Sequence, residues 1–141
     1  LVKNIIAGIS IKINSIFGDK YRIYTEEVKQ NLKEPCFLIR CVASSVLPLM
    51  GNRKKQNNRF CITYIDNKDD TLSENIYNVQ SLLFANMSFI ETADREKYYG
   101  INQNAEIIDG ILRFFIDYNC IIVINDNKNI IYMNSEEVQF K

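Results

Sequence analysis

Asp109-Gly110 constrains the fold more than any other pair of residues in the chain. A two-residue type I′ turn needs positive φ at both central positions, and Asp-Gly supplies it at little cost. Closing the chain there fixes the register around it. Ile108 faces Ile111, Glu106 faces Arg113 and Asn102 faces Asp117. On the other side Ile107 meets Leu112, Ala105 meets Phe114, Ile101 meets Tyr118 and Tyr99 meets Cys120. The second set is almost wholly apolar, while the first carries an opposed charge pair and amides, as a hairpin with one buried face requires. The alternation Leu112, Phe114, Ile116, Tyr118, Cys120, Ile122, Ile124 predicts a second arm of about 40 Å. Such a hairpin is expected to project past a small domain, pairing with another chain or bending around the core.

The segments before it supply the rest of one α+β domain. Val2, Ile5, Ile6, Ile9, Ile13, Ile16 and Phe17 share one face of a helix that Gly18-Asp19 ends. Ile11 projects opposite that stripe beside Ala7 and Gly8, either as an ordinary exposed residue or as a subunit contact. A short strand is expected over Tyr21–Glu26, and a second over Cys36–Ala43, apolar on both faces except Arg40 and therefore central in its sheet. A loop from Ser44 to about Asn58 should carry the basic cluster Arg53, Lys54 and Lys55, with Arg59 opening a third strand to Ile65. Asp66–Asp70 is a polar turn, and Thr71 with Glu74 forms a capping box for a helix with Leu72, Ile76, Val79, Leu83 and Met87 in one stripe. Tyr77 and Phe84 lie to one side of that stripe, either widening the core face or meeting a neighbouring subunit. After the hairpin, residues 125–129 turn the chain, Ile130–Met133 return as a short strand, and 134–141 form a loose polar tail. The sheet is mainly antiparallel, with an N-terminal and a central helix packed on it, in one domain spanning 1–141.

The chemistry is sparse. There is no His, which removes the commonest general base and metal ligand. Hydrolase, nucleotide, dinucleotide, zinc and EF-hand motifs are absent, and the Asp66–Asp70 run lacks the spacing of a calcium loop. Glu26 and Glu27 beside Cys36 lack an orienting partner and make no catalytic group. Cys36, Cys41, Cys61 and Cys120 form no CxxC pair and read as small core hydrophobes with free thiols. Seventeen Lys plus Arg balance seventeen Asp plus Glu, so no global field recruits DNA or an anionic membrane. No signal-peptide pattern or membrane-spanning apolar run is visible. The expectation is a non-enzymatic protein with no cofactor, metal, membrane or sequence-specific nucleic-acid partner. The basic cluster is either a solvated loop or a contact for an acidic surface or passing DNA.

Several stretches together resemble a known family. Ile5-Ile-Ala-Gly-Ile-Ser-Ile-Lys-Ile-Asn14 with Phe17-Gly-Asp19, Ile23-Tyr-Thr-Glu-Glu-Val-Lys-Gln30, Leu32-Lys-Glu-Pro-Cys-Phe37, Phe60-Cys-Ile-Thr-Tyr64 and Glu106-Ile-Ile-Asp-Gly-Ile-Leu-Arg-Phe-Phe115 are similar, in this order, to phage tail terminators of Gram-positive phages and prophages. The resemblance implies a structural subunit forming a ring, typically hexameric, on the head-proximal end of the tail tube. Its implied partners are other copies of itself, the tube protein, and sheath and neck or head-completion proteins. Its implied place is a virion or tail-like particle, contractile tails and bacteriocins included, assembled in the bacterial cytoplasm. Another head–tail joining or tail completion protein is the alternative, and a small enzyme is a remoter one. The family carries no catalytic residues, so contacts are inferred from the residues themselves: Arg53, Lys54, Lys55, Arg59, Ile11, Tyr77 and Phe84.

Overall fold

One strand organises the structure. In the computed structural model, which describes residues 1–25, 33–66, 74–124 and 130–134 (backbone only for Glu74 and for 130–134), the strand Ile111–Ile124 is flanked on both sides. The described elements are α1 (Val2–Phe17), a single 3-10 turn (Gly18–Lys20), β1 (Arg22–Tyr24), β2 (Cys36–Pro48), β3 (Arg53–Ile65), α2 (Glu74–Asn86), β4 (Phe89–Glu91), β5 (Lys97–Ile108), β6 (Ile111–Ile124) and β7 (Ile130–Asn134). The sheet order is β1-β2-β3-β6-β5-β4, with β7 also paired to β6. Every pairing is antiparallel except β1 with β2. The expected α+β class and antiparallel sheet are what the chain adopts.

The hairpin turn forms as its residues require, with φ of 53° at Asp109 and 74° at Gly110. From Ile108↔Ile111 through Asn104↔Phe115 the expected register holds. It then shifts by one residue between Ile101 and Asn104, so that Ile101 faces Asp117 and Gly100 faces Tyr118. Asn102 has φ 56° at this bulge, a conformation that Asn tolerates and that adds one residue to β5. The expected pairs Asn102–Asp117, Ile101–Tyr118 and Tyr99–Cys120 are therefore wrong in register. Still, the Asn102 amide reaches back, and its Nδ2 donates to Asp117 Oδ2 at 2.9 Å.

The long arm does not project alone. β3 pairs with β6 from Ile65↔Ile111 to Arg53↔Val123, and β7 takes over beside β6 from Cys120 onward. This is possible because the expected loop over Ser44–Asn58 is two strands and a tight turn. β2 runs on to Pro48 and β3 begins at Arg53, joined through Gly51 at φ 71°. The polar run Arg53–Asn58 hid the strand, because it shows no apolar alternation of its own, although most of its partners on β6, from Val123 to Cys120, are apolar. β2 is also not central throughout. β1 covers only Cys36–Leu38, and beyond that no described strand pairs with its outer edge. β4, which has only three residues, had no periodic signal to reveal it.

Both helices cover one face of the sheet. Ile5, Ile9 and Ile13 of α1 and Ile76, Val79 and Leu83 of α2, followed by Met87, bury themselves against Phe37, Ile39, Phe60, Ile62, Tyr64, Leu112, Phe114 and Ile116. Each fully buried side chain of this size contributes about 1.5–3 kcal/mol relative to exposure. Val2, Ile6, Ile16 and Phe17 flank this core half-buried, as their places on the stripe predict. Gly18 ends α1 at φ 75°, and its N–H donates to Asn14 O. Gly8 is buried: a Cβ there would sit 3.3 Å from Thr92 Cγ2, so it lets α1 approach β4. It therefore does not belong to an outer face with Ile11. Cys36, Cys61 and Cys120 are buried and Cys41 is half-buried, all in strands and none in a disulfide. The capping box, Leu72, Glu26, Glu27, most of the Asp66–Asp70 turn, the 125–129 turn and the tail beyond Asn134 lie outside the described residues.

Candidate functional site

The sheet face turned away from the helices holds the polar centre of the molecule. Along β3 the side chains of Arg53, Lys55, Asn57 and Arg59 share this face by strand alternation, while Lys54 points to the other. The basic cluster is thus split by a strand; it is not gathered in a loop. Arg59 is not free for a partner either. Its Nη1 donates to Asp117 Oδ1 at 2.8 Å and to Asn102 O at 3.3 Å, its Nη2 to Asn104 Oδ1, and its guanidinium lies 5.2 Å from the Phe115 ring centre. The Asp117 side chain is only 7% exposed, so this pair satisfies a charge that could not stay buried alone. Arg59 holds the β5 bulge to β3 and β6.

Beside that clamp lies a cleft of about 230 Å³, walled by Leu47 and Ser45 of β2, Lys55 of β3 and Ile101 and Asn102 of β5. Its lining includes Asn57 and Asn119, which face one another across β3 and β6. Asn119 is only 9% exposed, yet its Oδ1 has no hydrogen-bond partner, and neither has Asn57 Oδ1. The other buried side-chain atoms without partners among the described residues are Asn58 Nδ2 and Gln103 Oε1. All of them lie on or beside the stretch of β6 from Phe115 to Asn119. Native interiors rarely leave such groups unpaired, because each costs about 1–3 kcal/mol. Leu47 and Ile101 expose 60% and 46% of their surface at the same cleft.

The remaining expected contact residues are elsewhere. Ile11 is 48% exposed and, with Lys3, Ile6, Ala7, Ser10 and Thr25, lines a shallow hollow on α1. Tyr77 and Phe84 are exposed on α2, although the Phe84 ring also meets Phe114 edge-on at 5.2 Å. Phe84 thus partly widens the core, while Tyr77 does not. The structure brings Arg53, Lys55 and Arg59 to one face and leaves Ile11, Lys54, Tyr77 and Phe84 apart from them. The amides Asn57, Asn119 and Gln103 were missed by sequence reasoning. Asn57 was hidden in a segment that read as a loop, whereas Gln103 and Asn119 sit on the hairpin arms, where alternation alone marked Asn119 as part of the polar face.

The buried titratable groups serve the fold. Tyr118 is pushed far above its usual range by burial, and its hydroxyl donates to Met87 O at 2.6 Å. Burial, helped by Glu96, raises Tyr98, and burial, helped by Glu34, raises the Cys36 thiol. A thiol held protonated is a poor nucleophile. Among the described residues no group of His, Cys, Asp or Glu could hold a metal ion, and no helix is long and apolar enough to cross a membrane.

A search among curated proteins finds no match to this chain. The family model described as phage tail terminator protein matches residues 4–130. That span includes all but the first two residues of α1, the whole of α2, the clamp and the cleft, and the family is a structural one of the phage tail, not an enzyme family. The chain belongs to the phage tail terminator family.

Proposed function

We propose that this protein forms a ring on the head-proximal end of the tail tube, stops tube growth there and presents the junction to the neck. The observation that carries the reading is the family match across residues 4–130. The surfaces are compatible with it. A ring subunit must present two unlike patches to its neighbours, because head-to-tail contacts close into rings. The helix side and the polar sheet side of this fold differ in that way. Arg53 and Lys55, sharing one sheet face, are proposed to meet an adjacent tail component or to line the ring, with Lys54 serving a separate contact. Electron microscopy of assembled tails tests the reading. Density for this chain at the head-proximal end of the tube, and overlong tubes in its absence, are expected; density elsewhere refutes it.

A further inference from the structure

The cleft on the outer sheet face holds one cation and an apolar rim, and the chain itself passes beside it. Lys55 shares that face with Arg53, and among the described residues neither makes an ion pair. Leu47 and Ile101 stand exposed at the same cleft. β7 runs antiparallel along β6, and its last residue, Asn134, pairs with Cys120, next to Asn119 of the cleft lining. β3 occupies the other edge of β6, so β7 and β5 follow one another along the same edge. Continued straight, β7 would run into Gly100 of β5, which pairs with Tyr118. A chain leaving Asn134 therefore has to turn out of the sheet plane. On the helix side that place is filled. The Tyr118 hydroxyl donates there to Met87 O at 2.6 Å, and Gly100 N–H donates to Ser88 O at 2.8 Å. The open side is the face that carries the cleft.

Beyond the described residues the sequence continues as Ser135-Glu-Glu-Val-Gln-Phe-Lys141. It brings two carboxylates and then two apolar side chains, the complement of a cation beside an apolar rim. The distances suit it. Neighbouring strands lie about 4.8 Å apart, so β3 is about 10 Å and β2 about 14 Å from β7. At about 3.3 Å per extended residue, about three residues reach Lys55 and about four or five reach Leu47. We propose that residues 135–141 fold back across the cleft of their own subunit, with Glu136 and Glu137 at Lys55 and Val138 and Phe140 on the rim of Leu47 and Ile101. The segment is then a built-in occupant of the face that Arg53 and Lys55 offer to a tail component, and it must be displaced before that contact forms. Half-exposed ion pairs are weak, so a partner can displace it. Displacement rests on the contact proposed above, whereas the docking does not.

Acylation of lysines in the full-length protein, counted peptide by peptide in a mass spectrometer, reads the docking. Lys55 lies under the segment, while Lys54 is exposed on the other face and serves as the internal standard. Relative to Lys54, Lys55 should react about threefold faster in Glu136→Gln/Glu137→Gln and in Val138→Ser/Phe140→Ser than in the wild type. The wild-type ratio should not depend on protein concentration, because the segment covers its own subunit. A Lys55 rate unchanged in either variant overturns the proposal. So does protection that grows with concentration, which would make a second copy's segment the occupant. With Lys55 released, both variants should cap purified tail tubes at lower protein concentration than the wild type. Unaltered capping overturns the displacement step, whereas a wild type that caps no tubes sinks the contact reading and leaves the docking standing.

Discussion

Replacing Arg59 by Met tests whether the clamp holds the sheet together. The Asp117 side chain is 7% exposed and receives Arg59 Nη1 at 2.8 Å and Asn102 Nδ2 at 2.9 Å. At that separation, with an effective dielectric of about 20, the ion pair is worth about 6 kcal/mol before desolvation. Most of that offsets the cost of taking the carboxylate out of water. Removing the cation alone leaves the carboxylate buried with one donor, a loss of about 3–5 kcal/mol in a fully buried pair. The Arg59 side chain is 30% exposed and Asn102 remains, so about 2–4 kcal/mol is the expected loss. For a domain of this size that lowers the melting temperature by about 6–16 °C. Met keeps the aliphatic cover over Phe115, so the loss reports the charge and not the packing. The double variant Arg59→Met/Asp117→Leu should return to within about 1–2 kcal/mol of wild type, since an apolar pair no longer needs the bond. Denaturant unfolding of the two single variants and the double variant measures the cycle. A single-variant cost under about 1 kcal/mol, or costs that simply add in the double, would refute the argument.

Other perturbations test other parts of the fold. Gly100→Ala would place a Cβ 2.4 Å from Ile116 Cδ1 and 2.9 Å from its Cγ1. It should cost about 1–3 kcal/mol, and pairing it with Ile116→Val should recover part of that in chemical denaturation. Ile9→Ala opens the centre of the α1 interface, where Ile9 is 0% exposed, and should cost about 2–5 kcal/mol by the same measurement. Burial raises the pKa of Tyr118, so its contribution is complete below about pH 10, the unfolded value, and is lost as pH rises toward the folded one. Stability should fall by about 1.4 kcal/mol per pH unit above pH 10 from this residue, and Tyr118→Phe should flatten the slope in alkaline unfolding. Reversing the charge of Arg53 and Lys55 together should impair capping of tail tubes, read as tube length by electron microscopy, with the melting temperature nearly unchanged because neither side chain is buried.

Local chemistry dictated the parts of this protein that depend on neighbours in the chain. Asp109-Gly110 specified its turn and the first five pairs of its ladder, because backbone sterics at positive φ act within a few residues. The 3.6-residue spacing of isoleucines set α1 from Val2 to Phe17, and the same spacing placed Ile76, Val79, Leu83 and Met87 in the core. The resemblance of scattered segments also indicated the family, and the absence of His already argued against the commonest acid–base chemistry. Tertiary structure alone decided the rest. Arg53–Asn58 became a strand because β6 offered it a partner along its whole length, from Asn58↔Tyr118 to Arg53↔Val123, far away in the chain. The bulge at Asn102 arose where Arg59 and Asp117 pull β5 toward the clamp, which no local pattern encodes. Whether an amide is buried with an unmet oxygen depends on every strand beside it. The cleft of Asn57 and Asn119 therefore exists only in three dimensions, although each residue was in plain view in the chain.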